Sequence, residues 1–179
     1  MRELKKLKYW VALPVFLLFY ILFKAEGQMG TLLVLRLILL AVGYVAAVLD
    51  LLEKRVPNKL VLGLAVAWLL VLTPLVLMDP GAAVAIGVRG LLGFAAAALV
   101  MLFVYFVSRR GLGGGDVKLM CAAGLYLGVD GVLTALLYGS VLSAITSLVL
   151  ICRKKLTVKD SIPLVPFLYI GILITEFIR

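Results

Sequence analysis

Long apolar stretches separated by short polar connections make up most of this chain. Several of these stretches reach the length of about 18 residues that a helix needs to cross the hydrocarbon core of a bilayer. The pattern predicts an all-α, polytopic transmembrane bundle of about six to seven spans, with a single domain over residues 1–179. The predicted spans are 9–23, 31–52, 59–78, 82–107, 117–129, 132–152 and 161–178.

The fifth predicted span, 117–129, is shorter than the others. At about 1.5 Å per residue it measures only about 20 Å, against a hydrocarbon core of about 30 Å. We therefore expect it to begin below the headgroups, after an irregular loop over 111–115 that dips inward and carries water with it. Irregular backbone is tolerated at that depth only beside protein or a wet cavity.

Composition and charge narrow the class of protein. The chain has 179 residues, is 65% hydrophobic and carries a net charge of +9, whereas soluble domains are about 45 to 50% apolar. Basic residues gather in alternate connections, so the positive-inside rule predicts a cytoplasmic amino terminus in the cell inner membrane. This distribution makes anionic membrane lipids the expected partner and argues against nucleic acid. The basic residues concerned are Arg2, Lys5, Lys6, Lys8, Lys54, Arg55, Lys59, Arg109, Arg110, Lys118, Arg153, Lys154, Lys155 and Lys159.

Two further arginines, Arg36 and Arg89, fall inside predicted spans near their outer ends. We expect both to extend their guanidinium groups to the interface rather than to form a functional ion pair. Metal or cofactor chemistry is not predicted, because the chain has no histidine and only two cysteines, Cys121 and Cys152. The lack of histidine also excludes a rhomboid-type serine protease.

Two carboxylates, Asp50 and Asp116, are the candidate catalytic groups. Each lies at the predicted cytoplasmic end of a span and is predicted to be partly buried. Each also has a simpler interpretation: Asp50 as a solvated acid paired with Lys54, and Asp116 as a helix N-cap. The glycines of 111–115 are either a flexible turn or a surface that lets a substrate backbone approach Asp116 closely.

A pair of acids suits the hydrolysis of a peptide bond without a metal or a nucleophile, because one acts as base toward water and the other as acid toward the carbonyl. At about 4 Å and an effective dielectric near 20, two negative charges repel by about 4 kcal/mol, so the pair holds a proton between its members. We predict Asp116 as the base and Asp50 as the acid, since the amides at the start of the fifth helix favour an anion at Asp116.

With these residues in view, the chain resembles the type IV prepilin peptidases, a family that includes the archaeal preflagellin peptidases. The similarity rests on Asp50 ahead of Pro57-Asn58, on the GxGD pattern of Gly113, Gly115 and Asp116 followed by Lys118, and on the run IPLVPFLYIG at 162–171. It implies that Asp50 and Asp116 are the catalytic dyad. Candidate substrate-binding residues within the matched runs are Gly113, Gly115, Lys118, Pro57 and Asn58.

The resemblance implies an aspartic endopeptidase that cleaves a short basic leader from a pilin, pseudopilin or archaellin precursor at the cytoplasmic face. Larger members of the family carry CxxC motifs and also methylate the new amino terminus, but this chain has no CxxC, so methyltransferase activity is not expected. The presenilin-like group pairs GxGD with a Tyr-Asp motif, whereas this chain has Leu49-Asp50. The alternative is a small ion- or proton-coupled transporter that uses the buried acids.

Overall fold

The computed structural model describes residues 30–108, 112–154 and 162–178, and within these ranges the chain is helical with no strand. The predicted all-α membrane bundle is therefore confirmed. Four of the helices are long and apolar enough to cross a membrane, and the last is shorter. The helices are α1 Gly30–Glu53, α2 Asn58–Met78, α3 Pro80–Val107, α4 Gly114–Cys152 and α5 Val165–Ile178.

The first three helices follow the predicted spans 31–52, 59–78 and 82–107 to within two residues at each end. Their ends have physical causes in the sequence. Pro57 ends the connection after α1, and Asp79 lies between α2 and α3, where its Oδ1 accepts a hydrogen bond of 3.0 Å from the Ala82 amide. The predicted span 9–23 lies outside the described residues, so the total of six to seven spans stays a prediction.

The fourth helix, Gly114–Cys152, consists of two helical parts that meet at a kink at Gly128, which has φ 70° and ψ −178°. The predicted spans 117–129 and 132–152 correspond to these two parts, but the loop expected between them is absent. A left-handed φ is easily adopted by glycine and seldom by other residues, so a single residue breaks the helix where a loop was expected. Asp130 is consequently exposed on a helix, and its predicted place in a loop was wrong.

Close approaches between glycines fix the direction of each part of α4. A Cβ added at Gly90 of α3 would lie 2.6 Å from the Leu125 carbonyl oxygen, and Gly93 and Gly124 contact each other's backbones. Small residues allow membrane helices to pack at such short range. Beyond the break, Gly139 packs on Leu168 near the start of α5, so the second part of α4 heads back toward that start.

The side of α4 near its break is open. A cavity of about 510 Å³ lies there, lined in part by Arg89, Val129 and Asp130. Arg89 is exposed, and its Nη2 lies 3.5 Å from the carbonyl oxygen of Leu127, immediately before the break. The guanidinium thus donates a hydrogen bond to a backbone carbonyl that lies next to the interruption of the helix.

The expectation for Arg36 was wrong. Its Nε lies 3.1 Å from Oε2 of Glu176, and these side chains are 20% and 3% exposed. This ion pair joins the first part of α1 to the last turn of α5. Burial explains the contact, because a charge removed from solvent is retained only with a partner.

Helix α5 begins at Val165, four residues later than the predicted 161, and residues 162–164 are not helical. Pro163 and Pro166 account for this late start, since a proline fits the first turn of a helix but cannot supply an amide for the turn before it. The start of α5 lies close to the end of α1, because the Val165 amide donates a hydrogen bond to Asp50.

Candidate active site

Asp50 lies near the end of α1 and is 5% exposed. The helix ends three residues later at Glu53, and the next residue, Lys54, donates its amide to the Asp50 carbonyl at 2.9 Å and turns the chain aside with a φ of 51°. The Asp50 side chain points the other way, into the bundle, where Oδ2 accepts a hydrogen bond of 3.1 Å from the backbone amide of Val165. A freely solvated acid was one interpretation of Asp50, and its burial contradicts that interpretation.

Asp116 lies in the first turn of α4 and is half-buried. The N-cap of this helix is Gly113, so the alternative that Asp116 itself is the N-cap was wrong. The amide of Asp116 donates to the Gly113 carbonyl at 3.1 Å. Its carboxyl group therefore lies at the positive end of the helix dipole.

Three glycines precede Asp116 in the described residues, and their surroundings differ. A Cβ at Gly113 would lie 3.0 Å from Oδ2 of Asp116, and one at Gly115 would lie 3.1 Å from Cβ of Val56, whereas one at Gly114 would meet nothing within 4 Å. Gly114 and Gly115 are already helical, so the predicted loop over 111–115 is shorter than expected, and Gly111 lies outside the described residues. The two crowded glycines are those that match the GxGD pattern.

The connection between α1 and α2 brings the two acids to the same end of the bundle. Val56 in this connection packs on Gly115, one residue before Asp116. Asp50 and Asp116, from separate helices, thus lie at one end of the bundle, which we call the acid end.

The remaining predicted site residues lie at the acid end too. Pro57 is the N-cap of α2, with its carbonyl accepting from the Leu60 amide at 3.0 Å. Asn58 and Lys118 are exposed and form a hydrogen bond of 3.2 Å between Oδ1 and Nζ. This contact ties the first turn of α2 to α4 two residues beyond Asp116.

No other described acid is both located at the acid end and shielded from solvent. Glu53 is exposed at the end of α1, and Asp79 caps α3 at the opposite end of the bundle. Asp130 is exposed next to the break in α4, and Glu176 is paired with Arg36.

Two contacts were not predicted from the sequence. One is the hydrogen bond from the Val165 amide to Asp50 within the site, and the other is the Arg36–Glu176 ion pair at the far end of α5. The first has a faint local signal. Residue 164, which precedes the helix, is a leucine, and a leucine has no side-chain acceptor for the amides of the first turn. Such a buried helix start needs an acceptor from elsewhere in the chain.

The sequence pattern of the type IV leader peptidase family matches residues 37–148, a range that includes both Asp50 and Asp116. No curated protein and no solved structure is similar enough to count as a match. The family match favours a peptidase and does not favour the transporter alternative.

Proposed function

The chain belongs to the type IV leader peptidase family, and we propose that Asp50 and Asp116 are the catalytic pair of an aspartic endopeptidase that acts on prepilin-like precursors. The observation that carries this proposal is the position of two shielded carboxyl groups from separate helices at the acid end, where Val56, after Asp50, packs on Gly115, before Asp116. The whole chain, 1–179, then forms one transmembrane peptidase domain.

In the proposed reaction the two acids exchange protons with water and with the scissile peptide. Asp116, the more exposed acid, takes a proton from water as the water oxygen bonds to the carbonyl carbon, and Asp50 gives its proton to the carbonyl oxygen. The resulting diol returns a proton to Asp50 as the C–N bond breaks, and Asp116 protonates the leaving nitrogen. Both acids end in their starting states, with no covalent intermediate.

The precursor class follows from the family, whose members process prepilin-like proteins. The substrate is a chain with a short basic leader, cut after a glycine, followed by a hydrophobic helix that lies in the membrane beside the enzyme. Gly113, which is exposed, lets the substrate backbone approach Asp116, and Gly115 makes room for Val56 at the edge of this approach. Pro57, Asn58 and Lys118 contact the substrate at the rim of the site. Support for this placement comes from their common position at the acid end.

The acid end is proposed to face the cytoplasm. Support comes from the described basic residues that cluster there, since the positive-inside rule places such residues on the cytoplasmic side. Lys54, Arg55 and Lys59 flank the connection from α1 to α2, and Lys118 follows Asp116. A leader that has not crossed the membrane would meet the catalytic pair on this side.

The proposal is tested with the purified protein in lipid vesicles and a synthetic precursor whose basic leader ends in glycine before an apolar helix. Asp50→Asn and Asp116→Asn each remove one proton-transfer group, and we expect each to reduce leader cleavage by about 10²- to 10⁴-fold. Asp130→Asn is the matched control, because Asp130 is an exposed acid of the same helix as Asp116. Wild-type cleavage by either of the first two variants would overturn the proposed dyad.

A further inference from the structure

Helices α1 and α5 are joined by a polar contact near each end. At the acid end, Asp50 Oδ2 accepts from the Val165 amide at 3.1 Å. Toward the opposite end, Arg36 Nε lies 3.1 Å from Glu176 Oε2. The residue pairs 50 with 165 and 36 with 176 show that the two helices run antiparallel, so each contact fixes one end of α5 against α1.

The start of α5 depends on Asp50 for its first amide. Leu164, the residue before the helix, has no polar side chain, and Pro166 has no amide hydrogen. The amides of Phe167 and Leu168 both donate to the Leu164 carbonyl at 3.1 Å. Val165 therefore carries the amide of this turn that the helix leaves without an acceptor of its own, and Asp50 supplies one from 115 positions away.

This hydrogen bond also constrains the acid. Val165 is 1% exposed and Asp50 is 5% exposed, so no competing solvent shell surrounds the pair. One carboxyl oxygen of Asp50 is committed to a peptide amide whose position is set by a helix. Among the described residues the other oxygen accepts no hydrogen bond, so it can exchange a proton in an orientation that the amide determines.

The ion pair at the other end controls where that amide lies. Glu176 follows Val165 by eleven positions along a helix, which corresponds to about 16 Å at 1.5 Å per residue. Between the two contacts, a Cβ at Gly43 of α1 would lie 3.0 Å from the Tyr169 ring, and the rings of Tyr44 and Tyr169 pack edge to face at 6.0 Å. A shift of Glu176 along the helix axis is passed on to Val165, because the helix between them is continuous.

We infer that the Val165 amide is a positioning group for Asp50, and that the buried Arg36–Glu176 pair sets the height of α5 at which this amide meets the carboxyl group. The inference rests on the proposed function and deepens it: an ion pair at the far end of the bundle adjusts the geometry of a catalytic acid. Both Val165 and Glu176 lie beyond the range 37–148 that the family pattern matches.

Val165→Pro tests the first contact, because proline removes the amide hydrogen, fits the first position of a helix and keeps most of the side-chain volume. Val165→Ala is the matched control, since it keeps the amide and removes two methyl groups. With the synthetic precursor, we expect Val165→Pro to lower kcat by about 10- to 100-fold while KM changes less than about twofold, as misplacement of a catalytic group predicts. Val165→Ala retains a kcat close to that of the wild type.

Glu176→Gln tests the second contact, since it keeps the side-chain shape and removes the charge. Its control is Thr175→Val, because the Thr175 hydroxyl donates to Gly171 in its own helix at 2.8 Å and makes no bond to α1. We expect Glu176→Gln to lower kcat with KM unchanged, and Thr175→Val to have no such effect. The double variant Val165→Pro/Glu176→Gln should lose no more than Val165→Pro alone, because both changes act through one contact.

The outcomes separate this inference from the proposed dyad. If Asp50→Asn abolishes cleavage while Val165→Pro keeps the wild-type kcat, the dyad stands and the positioning role is overturned. Losses in kcat that multiply in the double variant, or a Thr175→Val variant as slow as Glu176→Gln, would show general destabilisation instead and would also overturn the inference. An active Asp50→Asn enzyme would overturn the dyad itself.

Discussion

The two candidate catalytic acids lie at the same end of the bundle but are held in different ways. Asp50 is buried, and its side chain is fixed by a peptide amide from a helix more than a hundred residues away. Asp116 is half-buried in the first turn of α4, and its surroundings are set by its own neighbours Gly113 and Gly115. One acid is thus positioned by the tertiary structure and the other by the local sequence.

Because of this difference, we expect substitutions near Asp50 and near Asp116 to affect the enzyme in different ways. Changes near Asp116 should act through steric crowding, because a side chain at Gly113 would meet the Asp116 carboxyl group and one at Gly115 would meet Val56. Changes near Asp50 should act through the docking of α5, because the carboxyl group is also the acceptor for the first amide of that helix. Variants that changed cleavage or stability equally at the two acids would contradict this difference.

The largest effect is expected at Gly115. Gly115→Val places branched carbon atoms where even a Cβ would lie 3.1 Å from Val56, so we expect the connection between α1 and α2 to shift and cleavage to fall by about 100-fold. Gly114→Val is the control, since a Cβ there meets nothing within 4 Å. Initial rates with the synthetic precursor measure both, and equal losses at the two positions would contradict the local role of the glycine spacing.

Gly113→Ala should have an intermediate effect. Its Cβ would lie 3.0 Å from Oδ2 of Asp116, so the carboxyl group has to turn away, and a rotamer displaced by about 30° costs about 0.5 to 1.5 kcal/mol, or roughly 2- to 13-fold in rate. Gly114→Ala should leave the rate unchanged and, as a glycine replaced within a helix, should raise stability by about 0.5 to 1 kcal/mol. A Gly113→Ala enzyme as active as Gly114→Ala would show that Asp116 is not confined by its glycine neighbour.

The free energies of unfolding of Asp50 and Asp116 variants test whether Asp50 has a structural role that Asp116 lacks. Asparagine keeps an acceptor for the Val165 amide and alanine does not, so we expect Asp50→Ala to be about 1 kcal/mol less stable than Asp50→Asn, although both are inactive. The corresponding difference between Asp116→Ala and Asp116→Asn should be smaller. Thermal unfolding in detergent measures these differences, and equal differences at the two acids would contradict the structural role of Asp50.

The smallest effect is expected at Lys118. Its hydrogen bond to Asn58 is exposed, and an exposed polar pair contributes about 0.2 to 1 kcal/mol. Lys118→Met should therefore change stability little and, because Lys118 is proposed to contact the substrate, should raise KM by about threefold with kcat unchanged. A fall in kcat without a change in KM would place Lys118 in the chemistry of the site and not at its rim.

The part of the site that the sequence could predict is the part with local causes. Hydrophobic stretches gave the bounds of α1 to α3, and the spacing of glycines before Asp116 identified the crowded positions 113 and 115. The break in α4 was expected as a loop because Gly128, Asp130 and Gly131 together are typical of a turn, whereas one glycine with a left-handed φ was sufficient.

The contacts that the sequence could not predict join distant residues. Arg36 was expected to reach solvent because nothing near it in sequence offers a negative charge, and its partner Glu176 belongs to the last helix. The bond from the Val165 amide to Asp50 involves a backbone donor, and the missing cap at Leu164 does not indicate which residue accepts from it. Such contacts follow from how helices are placed against one another, which periodicity does not specify.

The most direct test of the account is the cleavage rate of the double variant Asp50→Asn/Asp116→Asn, compared with both single variants under single-turnover conditions. Residues that act as one catalytic unit are strongly non-additive, so the account predicts that the double variant is no slower than the slower single variant. Losses at Asp50 and Asp116 that multiply in the double variant, or leader removal that survives both substitutions, would contradict it.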